Sequence, residues 1–196
     1  MLSEIERFVN WARRRSPEAH TWRDYQCDLR FFVKVVGDRP PREVTFRDID
    51  RFVAWQSEQG FKPTTINRRL AAILSLYAFL APEDEELVCP VMPRRHHLRE
   101  PQRLPRPMRE EEIQRFFSVI TCVRDRAAFL LMLRSGLRIS EVANLCMADL
   151  YLEEACPRLV ARGKGSRERS VYLSPQTVLA LREYLASRPE AASDFV

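Results

Sequence analysis

The stretch at residues 131–145, LMLRSGLRISEVANL, constrains this chain more than any other. The apolar run just before and into it, residues 127–133, is too densely hydrophobic for a surface helix and belongs in a core. Gly136 supplies the stop, because glycine alone enters the left-handed backbone region cheaply. Arg138 then opens a second helix, over residues 139–147, with Ile139, Val142 and Leu145/Cys146 as its buried stripe. That leaves Arg138 at the rim of a tight corner between two buried helices. A guanidinium is always charged and is shaped to grip a phosphate with two parallel hydrogen bonds. Capping a neighbouring helix is the other role open to it.

The corner is followed by RLVARGKGSRERSVYL, residues 158–173. Val160 and Arg162 point one way from a strand, Leu159 and Ala161 the other, and residues 163–166 have turn chemistry before a returning strand at 168–173. Lys164 sits between two glycines at the tip, with Arg162, Arg167 and Arg169 around it. The chain has 29 arginines and three lysines, so a lysine here suggests a task that arginine cannot do. A lysine whose pKa is lowered can release its proton near neutral pH, and arginine cannot. A solvated turn lysine is the alternative.

Taken together, GLRISEVANL, Asp149 and ARGKGSRERSVYL resemble the tyrosine recombinase (phage integrase) family. The resemblance implies that Arg138 is the first catalytic arginine and Lys164 the catalytic lysine. It also implies that Glu141 helps to fix the arginine corner. Tyrosine recombinases cut DNA with a tyrosine that forms a 3′-phosphotyrosyl link, using no metal and no cofactor. They assemble as tetramers on double-stranded DNA.

The charge balance leans the same way without deciding it: a net charge of +5 and a pI near 9.2 favour an acidic partner. No signal peptide or membrane-spanning run is present, since residues 3–10 are charged and amphipathic. Five cysteines without paired spacing read as buried free thiols of a reducing, bacterial cytoplasm, not as a zinc site or a disulfide framework. His96 and His97 lack neighbours at metal spacing and read as solvated or phosphate-facing.

Four helices are expected before the corner. Leu2, Ile5, Val9 and Ala12 mark the first, ending in Arg13, Arg14 and Arg15; Trp22, Tyr25, Leu29 and Phe32 mark the second, stopping at Gly37. Thr45 and Asp48 form a capping box for the third, which closes at Gly60, and Pro63 starts the fourth. Residues 1–82 therefore form a four-helix bundle, matching the SAM-like core-binding domain that the resemblance implies. Thr64, Thr65, Asn67, Arg68 and Arg69 line the first turns of the fourth helix, placed to meet phosphates or a base edge, or to form a solvated polar face. Residues 83–108 read as a linker, Pro- and Arg-rich from Cys89 onward, stiff enough to bridge a duplex backbone. Residues 109–196 form the first part of an α+β catalytic domain, with helices at 110–119 and 124–135, a strand near 149–153, the hairpin and a helix at 175–187. The expected fold is thus mainly α, with a small antiparallel sheet. Arg162 and Arg167 join the fourth-helix residues as expected DNA contacts.

The family also uses a histidine-x-x-arginine motif and a nucleophilic tyrosine further on. No histidine follows His97, and neither Tyr172 nor Tyr184 has the nucleophile's context, so the expectation is a C-terminally shortened, nucleoid-associated recombinase of a mobile element or chromosome, inactive alone. Its apolar helices at 127–133 and 178–185 would then want partners that the chain does not supply. A non-catalytic DNA-binding decoy or regulator of recombination is the alternative, and a helical protein-interaction module the third reading.

Overall fold

The computed structural model describes residues 1–101, 104–163, 167–188, 194 and 196. It divides into two units, Met1–Leu104 and Pro105–Val196.

In the first unit the apolar spacing produces four long helices: α1 (Leu2–Arg15), α2 (Thr21–Val36), α3 (Phe46–Glu58) and α4 (Pro63–Leu80). Ile5 and Phe8 of α1, Leu29 and Phe32 of α2, Ile49 and Phe52 of α3, and Ile66, Leu70, Ile73 and Leu76 of α4 are almost wholly buried together. Each such side chain contributes roughly 1.5–3 kcal/mol by leaving water, which makes this stripe the main reason the helices persist. The capping box is present: Asp48 accepts the Thr45 N–H at 2.9 Å and its hydroxyl at 2.9 Å. Asp48 is buried and also meets Arg39 at 2.9 Å and Arg51. Burial pushes its carboxyl up, but the Thr45 backbone bond, Arg39, the Thr45 hydroxyl and Arg51 outweigh that and hold it well below the ordinary carboxylate range.

After α4 the chain folds back onto this bundle. Val91 joins the core, Leu87, Cys89 and Leu98 pack against it, and a single turn, α5 (Pro93–His96), follows. His96 corrects the sequence reading, because it is buried and not solvated. Its Nδ1 accepts the Met92 N–H at 2.8 Å, while Nε2 stands 3.3 Å from Asp50. Burial lowers its pKa, so the ring is neutral at pH 7.

The second unit contains α6 (Glu110–Ser118), α7 (Val123–Ser135), α8 (Ile139–Ala143) and α9 (Pro175–Ser187) around an antiparallel sheet of β1 (Leu150–Tyr151), β2 (Arg158–Gly163) and β3 (Arg167–Tyr172), in that order. Ala127, Leu130 and Leu131 of α7 pack with Leu159 and Ala161 of β2 and with Val178, Ala180 and Leu181 of α9. The two apolar helices therefore partner each other, while Leu133 and Leu179 on them stay exposed. Near the end of the chain Val196 donates its N–H to the Leu145 carbonyl at 2.8 Å.

Two further expectations change. The helix after Gly136 is one short turn and a half, not residues 139–147, and Ile139 is 75% exposed; Leu145 is buried as expected, and Leu137 is the second buried anchor. The cysteines are free, but Cys27, Cys122 and Cys156 are exposed and Cys89 and Cys146 half-buried. Among the described residues no helix is long and apolar enough to cross a membrane.

Candidate DNA phosphate site

Gly136 takes φ +65°, the left-handed turn that stops α7, and Leu137 drops into the core. The chain thereby delivers Arg138 to the first position before α8. Glu141, one turn on, accepts the Arg138 backbone N–H at 2.8 Å and the Arg138 Nη1 at 3.0 Å. The carboxylate is buried, while the Arg138 side chain is 73% exposed. Among the described residues only Nη1 of the guanidinium is engaged. Arg138 thus stands at the N-cap of α8 by its backbone, while its side chain stays largely exposed.

The hairpin supplies the other half. Arg169 of β3 grips Glu141 with two parallel bonds, Nη1 to Oε1 at 2.7 Å and Nη2 to Oε2 at 2.9 Å. The register explains how it reaches there. Arg169 pairs with Ala161 and Arg167 with Gly163, so these four share one face of the sheet. Small residues on β2 leave room for the carboxylate; a Cβ on Gly163 would lie 3.3 Å from Glu141 Oε1. The Arg169 hydrogen bonds lead in holding the Glu141 carboxyl at about 2, helped by the Arg138 bonds against the opposing effect of burial. One buried anion thus fixes two arginines from two distant motifs. On the opposite face Arg162 donates to buried Asp149 at 2.9 Å and to Glu168 at 3.3 Å. Arg167 is exposed, and Lys164 lies outside the described residues.

In the first unit the five α4 residues divide. Thr64 is exposed and Thr65 half-buried at the start of the helix. Arg68, half exposed, forks onto buried Asp28 at 2.6 and 2.9 Å; burial raises that carboxyl and the arginine only partly offsets it. Arg69 turns inward instead, between the rings of Phe31 and Phe61 (3.9 and 4.3 Å), and donates to Gln56 at 2.7 Å. Asn67 bonds to the returning segment, not outward. At the α1–α2 turn Arg13, Arg14, Arg15 and Arg23 are exposed, with Arg13 and Arg23 over the Trp22 ring at 5.3 and 4.9 Å. The sequence reading noted the run at 13–15 without assigning it to DNA. Arg169 escaped as a site residue because nothing local in the sequence ties it to a carboxylate 28 positions earlier. Among the described residues no cluster of metal-ligating side chains occurs.

A mainly helical chain, with a helical bundle followed by an arginine–carboxylate–arginine corner on a small antiparallel sheet, defines a class. The family model described as the phage integrase N-terminal SAM-like domain matches residues 5–84, and that of the phage integrase family matches residues 106–196. The chain belongs to the phage integrase, or tyrosine recombinase, family. Its relatives include tyrosine recombinase XerC of Listeria innocua, 27% identical over 97% of this chain and 66% of the relative. Tyrosine recombinase XerC of Neisseria gonorrhoeae is 30% identical over 92% and 62%. The chain spans a little under two thirds of the length of these relatives. Among solved structures, the Tn1549 transposon integrase in complex with circular intermediate DNA superposes with a TM-score of 0.71 at 19% identity, over 98% of this chain and 67% of that one. The XerH site-specific recombinase bound to palindromic difH substrate gives 0.67 at 20% identity, over 99% and 60%. At these identities the structural likeness is one of fold.

Proposed function

We propose that this chain is the core-binding domain and the first part of the catalytic domain of a site-specific DNA recombinase of the tyrosine type. Residues 1–82 and 109–196 are the two functional parts and 83–108 the segment joining them. The observation that carries the reading is the Glu141 carboxylate, which holds Arg138 and Arg169 together while leaving most of the Arg138 fork facing solvent. A preorganised guanidinium of this kind is suited to the charge that develops on a phosphoryl group under attack. In the proposed reaction a tyrosine hydroxyl attacks a DNA phosphate and forms the 3′-phosphotyrosyl bond. The 5′ oxygen leaves, taking its proton from Lys164. Arg138 holds the charge on the non-bridging oxygens. Thr64, Thr65, Arg68, Arg162 and Arg167, with the α1–α2 arginines, supply duplex contacts; Asn67 and Arg69 act from within the bundle.

Three of the five tyrosines, Tyr25, Tyr77 and Tyr184, pack into or against the two cores. Tyr77, for example, is buried with its hydroxyl on the Pro41 carbonyl at 2.8 Å, and Tyr184 packs on the second core. In this reading the attacking tyrosine comes from outside these residues, and the recombinase acts as a tetramer on bacterial cytoplasmic, nucleoid DNA. Where none is supplied, the chain binds without cutting, which is the decoy or regulator reading.

The test joins the chain to a C-terminal segment that supplies the tyrosine. Water, standing in for an alcohol leaving group, has a pKa of about 15.7 and leaves badly unprotonated; a thiol, at about 8.5, leaves unaided. Lys164→Arg should cut ordinary DNA slowly but cut DNA with a 5′-bridging sulfur at nearly the parent rate, whereas Arg138→Ala should be slow on both. Failure of sulfur to rescue Lys164→Arg removes the general acid from that residue.

A further inference from the structure

Asn67 does something other than face DNA. Its side-chain amide pairs with one backbone amide as a β-ladder partner would: Nδ2 donates to the Leu98 carbonyl at 2.9 Å, and Oδ1 accepts the Leu98 N–H at 2.9 Å. Nδ2 also donates to Glu100 at 2.9 Å. Upstream, Arg95 grips Asp50 of α3 (2.8 and 2.6 Å), His96 is buried against the same carboxylate, and Val91 is in the core. Residues 91–100 are therefore a strap built onto the bundle. Arg94 and Arg99 are exposed on it, and neither has a carboxylate partner among the described residues. Val91, Arg95 and His96 hold the upstream part of the strap, and the reciprocal amide pair fixes its path at Leu98, where the backbone itself would gain little by leaving water.

We infer that Asn67 is a positioning residue that pins the strap to α4 and acts on DNA only by fixing where Arg94 and Arg99 present their charge, reading no base itself. The DNA part rests on the function proposed above; the pinning does not.

The first readout needs no DNA. In Asn67→Leu the Leu98 amide should exchange about tenfold to a hundredfold faster, from two lost hydrogen bonds, while α4 amides from Ile66 to Leu80 keep their protection. Unchanged exchange at Leu98 overturns the inference. Asn67→Asp provides a second variant that keeps the acceptor for the Leu98 N–H but sets a carboxylate against Glu100. It should loosen the strap near pH 7, and adding Glu100→Gln should restore much of its protection, a rescue that general damage to α4 would not allow. No rescue counts against the inference. The second readout is duplex affinity. Asn67→Leu should weaken binding by the same factor on unrelated sequences, and Arg99→Ala should cost less in that background than in the parent. A loss confined to one sequence, or fully additive losses, overturns the positioning role. A parent chain that fails to bind duplex at all, with Leu98 still released by Asn67→Leu, refutes the proposed function and the DNA part of the inference but leaves the pinning standing.

Discussion

Replacing Glu141 with Gln isolates the anion on which the proposed phosphate site is built. The carboxyl is held at about 2 against an ordinary 4.5, which at about 1.36 kcal/mol per pKa unit sets a ceiling of about 3 kcal/mol on its stabilisation of the folded second unit. The Arg169 and Arg138 side chains are 41% and 73% exposed, so solvent screens part of that, and a loss of about 2 kcal/mol at pH 7 is the expected result. Because the folded pKa is depressed, the contribution is fully present above about 4.5 and disappears as pH falls through about 2. Hydrogen exchange over residues 137–147 and 158–172 is the assay. All three tryptophans, Trp11, Trp22 and Trp55, belong to the first unit, so tryptophan fluorescence in urea serves as an internal control. Glu141→Gln should speed exchange in the second unit about thirtyfold, leave the fluorescence midpoint where it is, and weaken the acid step. Unaltered exchange at pH 7 would show that the corner does not depend on this carboxylate.

Asp48→Ala removes a cap and strands Arg39 and Arg51, so the fluorescence midpoint of the first unit should fall by the equivalent of about 2 kcal/mol, and in the parent this stability should persist to a lower pH than an ordinary carboxylate would allow. Gly136→Ala places a side chain at φ +65° and should cost about 1 kcal/mol in the second unit, read by exchange in α7 and α8. Arg68→Ala should reduce the slope of log affinity for duplex against log salt by about 0.9, whereas Arg69→Ala should leave the slope unchanged and lower the first unit's midpoint, because Arg69 is spent on Phe31, Phe61 and Gln56.

The elements themselves were legible because they follow local chemistry: apolar spacing for α1 to α4, the Thr45–Asp48 box, Gly136 as a stop, and a glycine-flanked hairpin. Long-range pairings were not. Which carboxylate holds Arg169 depends on strand register and on the small Ala161 and Gly163 that admit Glu141. Composition said less at residues 89–98. Proline and arginine there gave a stiff linker, but not that Val91, His96 and the Asn67–Leu98 amide pair bind its first part to the bundle. Ile139 shows the same limit, since helical spacing placed it inward while the shortness of α8 turns it out.

In the proposed function Arg138 presents its guanidinium to a DNA phosphate. Duplex binding measured between about 50 and 200 mM salt tests it directly, since each phosphate contact adds about 0.9 to the slope of log affinity against log salt. The parent should show a steep slope, and Arg138→Ala should lower it by about 0.9 while the second unit keeps its exchange protection. An Arg138→Ala chain that is folded and binds with the parent's slope would contradict the claim.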